Sequence, residues 1–163
     1  TSTYSIVMVA TKRIPVSEGV WEDISDLKRP GQTFDDLLSH MVELEKKRRF
    51  IEDMDRIEAE GDFVELNFDV PDTINRKALE SIRSFRSKSR RIVMERLKTL
   101  QDDPFPGGGS DKERLYVQGR EDTYRLHISH TFTAFYRIHK AEQEVHVLAV
   151  MPIERAHKWY GRF

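Results

Sequence analysis

Between Thr123 and Ser129 the chain alternates strictly: Tyr124, Leu126 and Ile128 share one side, and Arg125, His127 and Ser129 share the other. If the first set enters a core, the second faces solvent or a groove. Arg137 and His139 alternate out of the next strand-like run, and Arg155, His157, Lys158, Tyr160 and Arg162 crowd the C-terminus. Guanidinium groups clamp a phosphate with paired hydrogen bonds. Aromatic rings stack on unpaired bases, and an imidazole moves a proton near neutral pH. Cations interleaved with a tyrosine and a histidine are therefore what phosphodiester binding and cleavage require. The same residues also suit a solvated sheet face with scattered charge, and composition alone favours that plainer reading.

Other chemistries have less support. Gly107-Gly108-Gly109 lacks the Gly-Lys-Ser/Thr ending of a phosphate loop and does not lead from a strand into a helix, so it reads as a connector. His127 and His130 lie three apart on a strand-like run, where side chains alternate, so the expectation is no metal site and no cofactor. The chain has no cysteine, which excludes disulfides and thiolate metal ligation and suits a reducing cytoplasm.

The elements that must position the basic residues can be read from periodicity. Ala10 to Val16 predicts a short strand, with Ile14 and Val16 on one side and Pro15 favouring an edge. Ser17 predicts an N-cap, followed by a helix with Val20, Trp21, Ile24 and Leu27 on one face, stopped at Pro30-Gly31. Thr33 caps a second helix carrying Phe34, Leu37, Leu38, Met41 and Leu44, continued by Phe50 or Ile51, Met54 and Ile57 toward Glu60 and ended by Gly61. A segment this small makes a poor core alone and needs a partner.

Phe63 to Phe68 alternates and predicts another strand. Two helical stretches follow, Asp72 to Phe85 and Ser87 to Asp102, with Ile74, Ala78, Ile82 and Phe85 and then Ile92 or Val93, Leu97 and Leu100 facing inward. Asp103 to Ser110 is a loop. Four strand-like runs come next, near Arg114–Gln118, Thr123–Ser129, Thr131–His139 and Glu144–Met151, then a short helix or turn from Glu154 to Gly161. This order predicts an α+β fold: a mostly antiparallel sheet with a helical hairpin on one face, preceded by a strand-helix-helix segment. There is no internal repeat and no low-complexity tract.

With 163 residues the chain can hold one domain or two small ones, and the expected division is 1–61 and 62–163. The first part is net acidic and the second net basic, with all histidines but His40 in the second; opposite signs suit mutual docking or a cationic substrate-binding half. No apolar run approaches the roughly 18 residues a membrane helix needs. Ile6 to Ala10 is too short for a signal-peptide core, so the expectation is a cytoplasmic protein with no membrane partner.

Read as a pattern, RIVMERLKTLQDDPFPGGGSDKERL from Arg91, GREDTYRLHI from Gly119, FYRI from Phe135, VHVLAV from Val145 and ERAHKWY from Glu154 resemble the RelE/ParE toxin superfamily, the RelE type in particular. The resemblance runs from about Phe63 to the C-terminus and rests on the order and spacing of these stretches together. It implies a RelE-like fold and a ribosome-dependent endoribonuclease that cuts mRNA, in which a basic cluster orients the scissile phosphate for attack by the ribose 2′-hydroxyl. On that basis Arg125 clamps phosphate, Arg155 stabilises transition-state charge or protonates the leaving group, and His127 or Tyr160 assists 2′-hydroxyl deprotonation. Arg114, Arg137, His157, Lys158 and Arg162 would bind RNA. One position departs: the family usually has an arginine three residues before the tyrosine of its YRVIY-like strand, and here that position is Thr133. That puts catalysis in doubt unless Arg137 or Arg114 compensates.

The stretch ATKRIPVSEGVWEDISDLKRPGQTFDDLLSHMVEL, Ala10 to Leu44, resembles the short VapB-type antitoxins. Like other ribbon-helix-helix proteins, these pair strands across a dimer and lay the ribbon in the DNA major groove. Thr11, Lys12 and Arg13 would then face operator DNA, although a strand simply added to a sheet fits equally well.

Two functions remain open at this point. One is an antitoxin–toxin fusion in which Glu43 to Glu60 neutralises the toxin domain of its own chain or of a dimer mate. The other is a non-catalytic DNA-binding repressor that keeps a degenerate RelE-like domain for dimerisation or partner binding. A gyrase-directed ParE-like toxin is a weaker third.

Overall fold

The computed structural model describes residues 9–66, 72–109, 111–117, 119–120 and 122–163. The start of the apolar opening run, Ile6 to Met8, and the end of the expected strand, Asn67-Phe68, lie outside them, as do Ser110 and Gln118. The chain forms two compact units, Thr1–Glu45 and Lys46–Phe163.

In the first unit, helix α1 (Glu18–Leu27) starts where Ser17 leaves the extended region, its hydroxyl accepting from the Val20 amide at 3.4 Å. Helix α2 (Phe34–Glu60) begins with a reciprocal cap: Thr33 Oγ1 accepts from the Asp36 amide, and the Asp36 carboxylate accepts from the Thr33 amide, both at 3.1 Å. Gly31, at φ +77°, makes the turn between them. The strand expected over Ala10 to Val16 does not form; residues 9–17 carry neither helix nor strand. An extended segment becomes a strand only beside a hydrogen-bonding neighbour, and the described residues of this unit supply none. Leu37 is the one buried hydrophobic side chain among the unit's described residues, while Ile14, Val16, Val20, Trp21 and Leu27 are exposed.

The second unit is α+β, with a six-stranded mixed sheet between two helical layers. Its strands are β1 (Phe63–Glu65), β2 (Asp72–Asn75), β3 (Lys112–Arg114), β4 (Thr123–Ile128), β5 (Phe132–His139) and β6 (Glu144–Pro152), in the order β1-β2-β6-β5-β4-β3. All neighbours are antiparallel except β2 and β6. The helices are α3 (Arg76–Arg83), α4 (Ser87–Lys98) and α5 (Ile153–Tyr160).

The helix expected from Asp72 starts four residues later. Residues Asp72 to Asn75 instead form β2, whose partner β6 lies some seventy residues on and leaves no local signature. The buried Asp72 carboxylate accepts from the Val145 amide at 3.2 Å. Asn75 then caps α3 by accepting from the amides of Lys77 and Ala78.

One face of the sheet packs under α3 and α4, burying Ile74, Ala78, Ile82, Val93, Leu97, Leu100, Tyr124, Leu126 and Ile128. These are the positions that periodicity assigned to a core. The other face is covered by the second half of α2 and by α5. Phe50 and Met54 of α2 pack with Leu115, Phe135, Leu148, Ala156 and Tyr160. The compact units meet at Glu45/Lys46 because residues 46–60 share a core with the sheet.

Candidate functional site

The cations of β4 project onto the face that α5 and the C-terminal residues border. Register places Arg125 opposite Glu113 of β3 and opposite Phe135 of β5. The Arg125 guanidinium donates to Glu113 Oε1 at 2.5 Å, and His127 Nε2 lies 3.3 Å from Glu113 Oε2, so a single carboxylate holds both. The Phe163 ring sits 5.8 Å from the Arg125 guanidinium carbon. His157 of α5 belongs to the same group. Burial first, then the charges of Arg162, Arg125 and His127, hold its imidazole below the ordinary value of 6.5. Both causes disfavour the charged imidazolium, so the neutral ring is the favoured form.

One register step along, Arg137 pairs across the strands with Thr123 and His146. Its guanidinium is buried and donates to Thr123 Oγ1 at 3.1 Å and to Asp55 of α2 at 2.8 Å. Asp55 also accepts from Arg120 at 2.7 Å. Two residues before it, Asp53 accepts from the buried Tyr160 hydroxyl at 3.0 Å. Burial, and then the Asp53 charge, push the Tyr160 phenol well above its ordinary range, so it stays protonated. A turn further along α2, Glu58 contacts His139 and His146. The groove expected on this face is thus filled, and the filling is a row of acidic side chains at positions 53, 55 and 58 on one helix.

Of the catalytic candidates, Arg125, His127 and Tyr160 lie on this covered side, with His157 and Arg162 beside the first two. Arg155 is exposed, and its guanidinium stacks over the Trp159 ring at 4.1 Å. Lys158 and Arg162 are exposed on the tail. Arg114 ends β3 and lies 5.7 Å from the Tyr116 ring, which is itself exposed. Thr133 is 2% exposed, opposite His127 and Met151, and its hydroxyl finds no partner. Thr11, Lys12 and Arg13 are exposed in the segment before α1. His130 lies in the β4–β5 turn rather than on the strand, with φ +56°, so its separation from the strand face has a different cause from simple alternation.

Sequence reasoning missed Glu113. It sits in a three-residue strand, too short for alternation to show which way it points. Asp53, Asp55 and Glu58 were not singled out from the sequence either. Positions 53 and 55 lie about 200° apart around a helix, on either side of Met54, so no spacing marks the three as a set and only the docked sheet brings them to one use.

Asp55 makes the docking acid-sensitive. Burial alone would raise its pKa, but the hydrogen bonds and charges of Arg137 and Arg120 outweigh it and hold the carboxyl below 3.8. A depressed folded-state pKa contributes stability that is present above 3.8 and is lost as pH falls through the lowered value. The unfolding temperature of the native chain should therefore fall faster below pH 3.8 than that of Asp55→Asn, the two curves converging in acid. Parallel curves would remove the ion pair as the cause.

No protein-family model matches the sequence, and no curated protein matches it significantly. Among solved structures, the chain aligns with the archaeal RelE–RelB complex from Pyrococcus horikoshii OT3 at 20% identity and a TM-score of 0.46, over 53% of this chain and 97% of that one. It aligns with the toxin–antitoxin complex RelBE2 from Mycobacterium tuberculosis at 17% identity and a TM-score of 0.43, over 51% and 96% of the two chains. A mutant RelE toxin from E. coli in the free state aligns at 15% identity and a TM-score of 0.33, over 53% and 88%.

Proposed function

We propose that this chain joins an antitoxin-like, DNA-binding segment, residues 1–61, to a RelE-type endoribonuclease domain, residues 62–163, and that the second half of α2 keeps the nuclease silent. The observation that carries this reading is the seating of Asp53 and Asp55 on Tyr160 and Arg137. These two acids occupy groups that a nucleic-acid phosphate would need. A covalently tethered cover acts at an effective concentration around the millimolar scale, so it stays bound nearly always. When α2 lifts, Arg137 loses its Asp55 partner and is freed to clamp the scissile phosphate together with Arg125, which Glu113 already holds in place. His157, neutral beside them, or His127 takes the 2′-hydroxyl proton, and Arg155 stabilises charge on the leaving side. The ribosome and its mRNA are the partners that the resemblance to RelE-type toxins implies. The exposed apolar side chains of α1 fit a homodimer whose strands, including Thr11, Lys12 and Arg13, meet operator DNA in the cytoplasm.

A second reading is favoured by Thr133. A buried threonine at the usual arginine position cannot reach a phosphate, which suits a DNA-binding repressor built on a disabled nuclease. Translation-dependent mRNA cleavage separates the two. The full chain is compared with a chain starting at Asp62 and with the Asp53→Ala/Asp55→Ala variant. The fusion reading expects cleavage by the uncovered forms and little by the intact chain. No cleavage by any folded form supports the repressor.

A further inference from the structure

At the Glu144 end of the β5–β6 pair a half-buried cluster takes no step in the proposed cleavage. His139 and His146 lie on adjacent strands with their rings 4.1 Å apart, and Glu58 reaches down from α2 between them. One carboxylate oxygen, Glu58 Oε1, contacts both His146 Nδ1, at 2.8 Å, and His139 Nε2. The donor atoms of all three residues fall within 4.8 Å of one another.

We propose that Glu58, His139 and His146 form a binding site for a divalent transition-metal ion of the zinc class. Three features favour this over a plain ion-pair network. First, two imidazole nitrogens and a carboxylate are a borderline-soft donor set that suits zinc and its neighbours; calcium and magnesium take oxygen ligands. Second, the other ring nitrogen of His146 lies 3.0 Å from Glu144 Oε2. That is the carboxylate–histidine arrangement that fixes the tautomer and turns the free nitrogen toward a metal. Third, Glu58 Oε2 is buried without a hydrogen-bond partner beside the imidazoles, a spare acceptor that a cation would satisfy. Tetrahedral zinc with bonds near 2.0–2.1 Å separates its ligand atoms by about 3.3 Å. The 2.8 Å Nδ1–Oε1 contact needs only about half an ångström of side-chain rotation to accept it.

The charges also match. Glu58 and Glu144 supply two negative charges, and Arg137, whose charge reaches Glu58, is already paired with Asp55. A divalent ion would neutralise the cluster while taking the place of the proton shared by Glu58 and His146. Because Glu58 belongs to α2 and both histidines to the sheet, the ion would clamp the helix to the sheet. Its effect on nuclease silencing rests on the proposed function; its binding does not.

The test is a titration of the chelator-stripped full chain with Zn²⁺ by calorimetry, with Co²⁺ as the spectroscopic stand-in. The expected result is one ion per chain, intense visible bands of low-coordinate cobalt, and a rise in unfolding temperature with metal. His139→Asn and His146→Asn should each weaken binding by roughly 100-fold or more, and Glu144→Gln, which leaves all three ligands in place, by roughly 10–100-fold. His40→Asn and His130→Asn should bind like the native chain. Folded native protein that binds no zinc at micromolar concentrations would overturn the proposal, as would binding undiminished in the two ligand variants. Zinc binding with no nuclease activity in any form would keep the site and discard the nuclease reading.

Discussion

Replacing Phe50 by alanine is expected to destabilise the docked half of α2 by about 3–5 kcal/mol, the range for removing a buried aromatic side chain. Phe50 is 1% exposed and sits where three rings converge, with Phe135 at 4.9 Å and Tyr160 and Phe163 each at 5.1 Å in edge-on geometry. A cavity there cannot close easily, because Phe135 is fixed in a central strand and Tyr160 is tied to Asp53. The core under α3 and α4 lies on the opposite face and should survive. Urea unfolding would show the lower midpoint, and amide exchange should accelerate in residues 51–60 and in α5 before it does in α3. On the proposed function, losing 3 kcal/mol raises the uncovered population by about 10²-fold, so mRNA cleavage should rise with it. A stability loss under about 1 kcal/mol would mean that α2 is not held by this core.

Arg125→Ala carries the largest expected effect on activity. The side chain is 8% exposed and anchored to Glu113, so its position is set before any ligand arrives. In a chain whose cover has been removed, deleting a preorganised phosphate-binding donor should lower cleavage by about 10²–10³-fold. Arg125→Lys should recover only part of this, because an ammonium is a point charge without the planar fork. The fold should tolerate the change, since Glu113 is partly exposed and keeps its His127 contact. Full cleavage by Arg125→Ala would exclude this face as the site. If the native and variant proteins are equally inactive while operator affinity is unchanged, the repressor reading stands.

What the sequence determined by itself was mostly local. Ser17 and Thr33 mark helix starts because their hydroxyls satisfy amides within the same turn, and Gly61 ends α2 at φ +63° because it alone enters that region without strain. Alternation in β4 separated Tyr124, Leu126 and Ile128 from Arg125 and His127, and the helical spacing of Ala78, Ile82, Val93 and Leu97 marked the core above them. Each of these signals lies within a few residues of its own effect.

Tertiary structure decided the rest, and in each case the deciding partner is distant in the chain. Residues 72–75 look helical alone and become a strand only because β6 offers a parallel neighbour. The strand expected at 10–16 has its spacing but no strand neighbour among the described residues of its unit, and it does not form. Most of all, the fate of the basic face was not readable from β4 and β5. Their alternation says only that Arg125 and Arg137 point away from one core; a second core lies on that side. It is built from Phe50 and Met54, far upstream, and it brings Asp53, Asp55 and Glu58 down onto Tyr160, Arg137 and the two histidines. A buried guanidinium is tolerated only with a carboxylate beside it. Periodicity can say that a residue leaves one face, but which charge meets it there depends on how a helix far earlier in the chain packs, as with Asp55, 82 residues before Arg137.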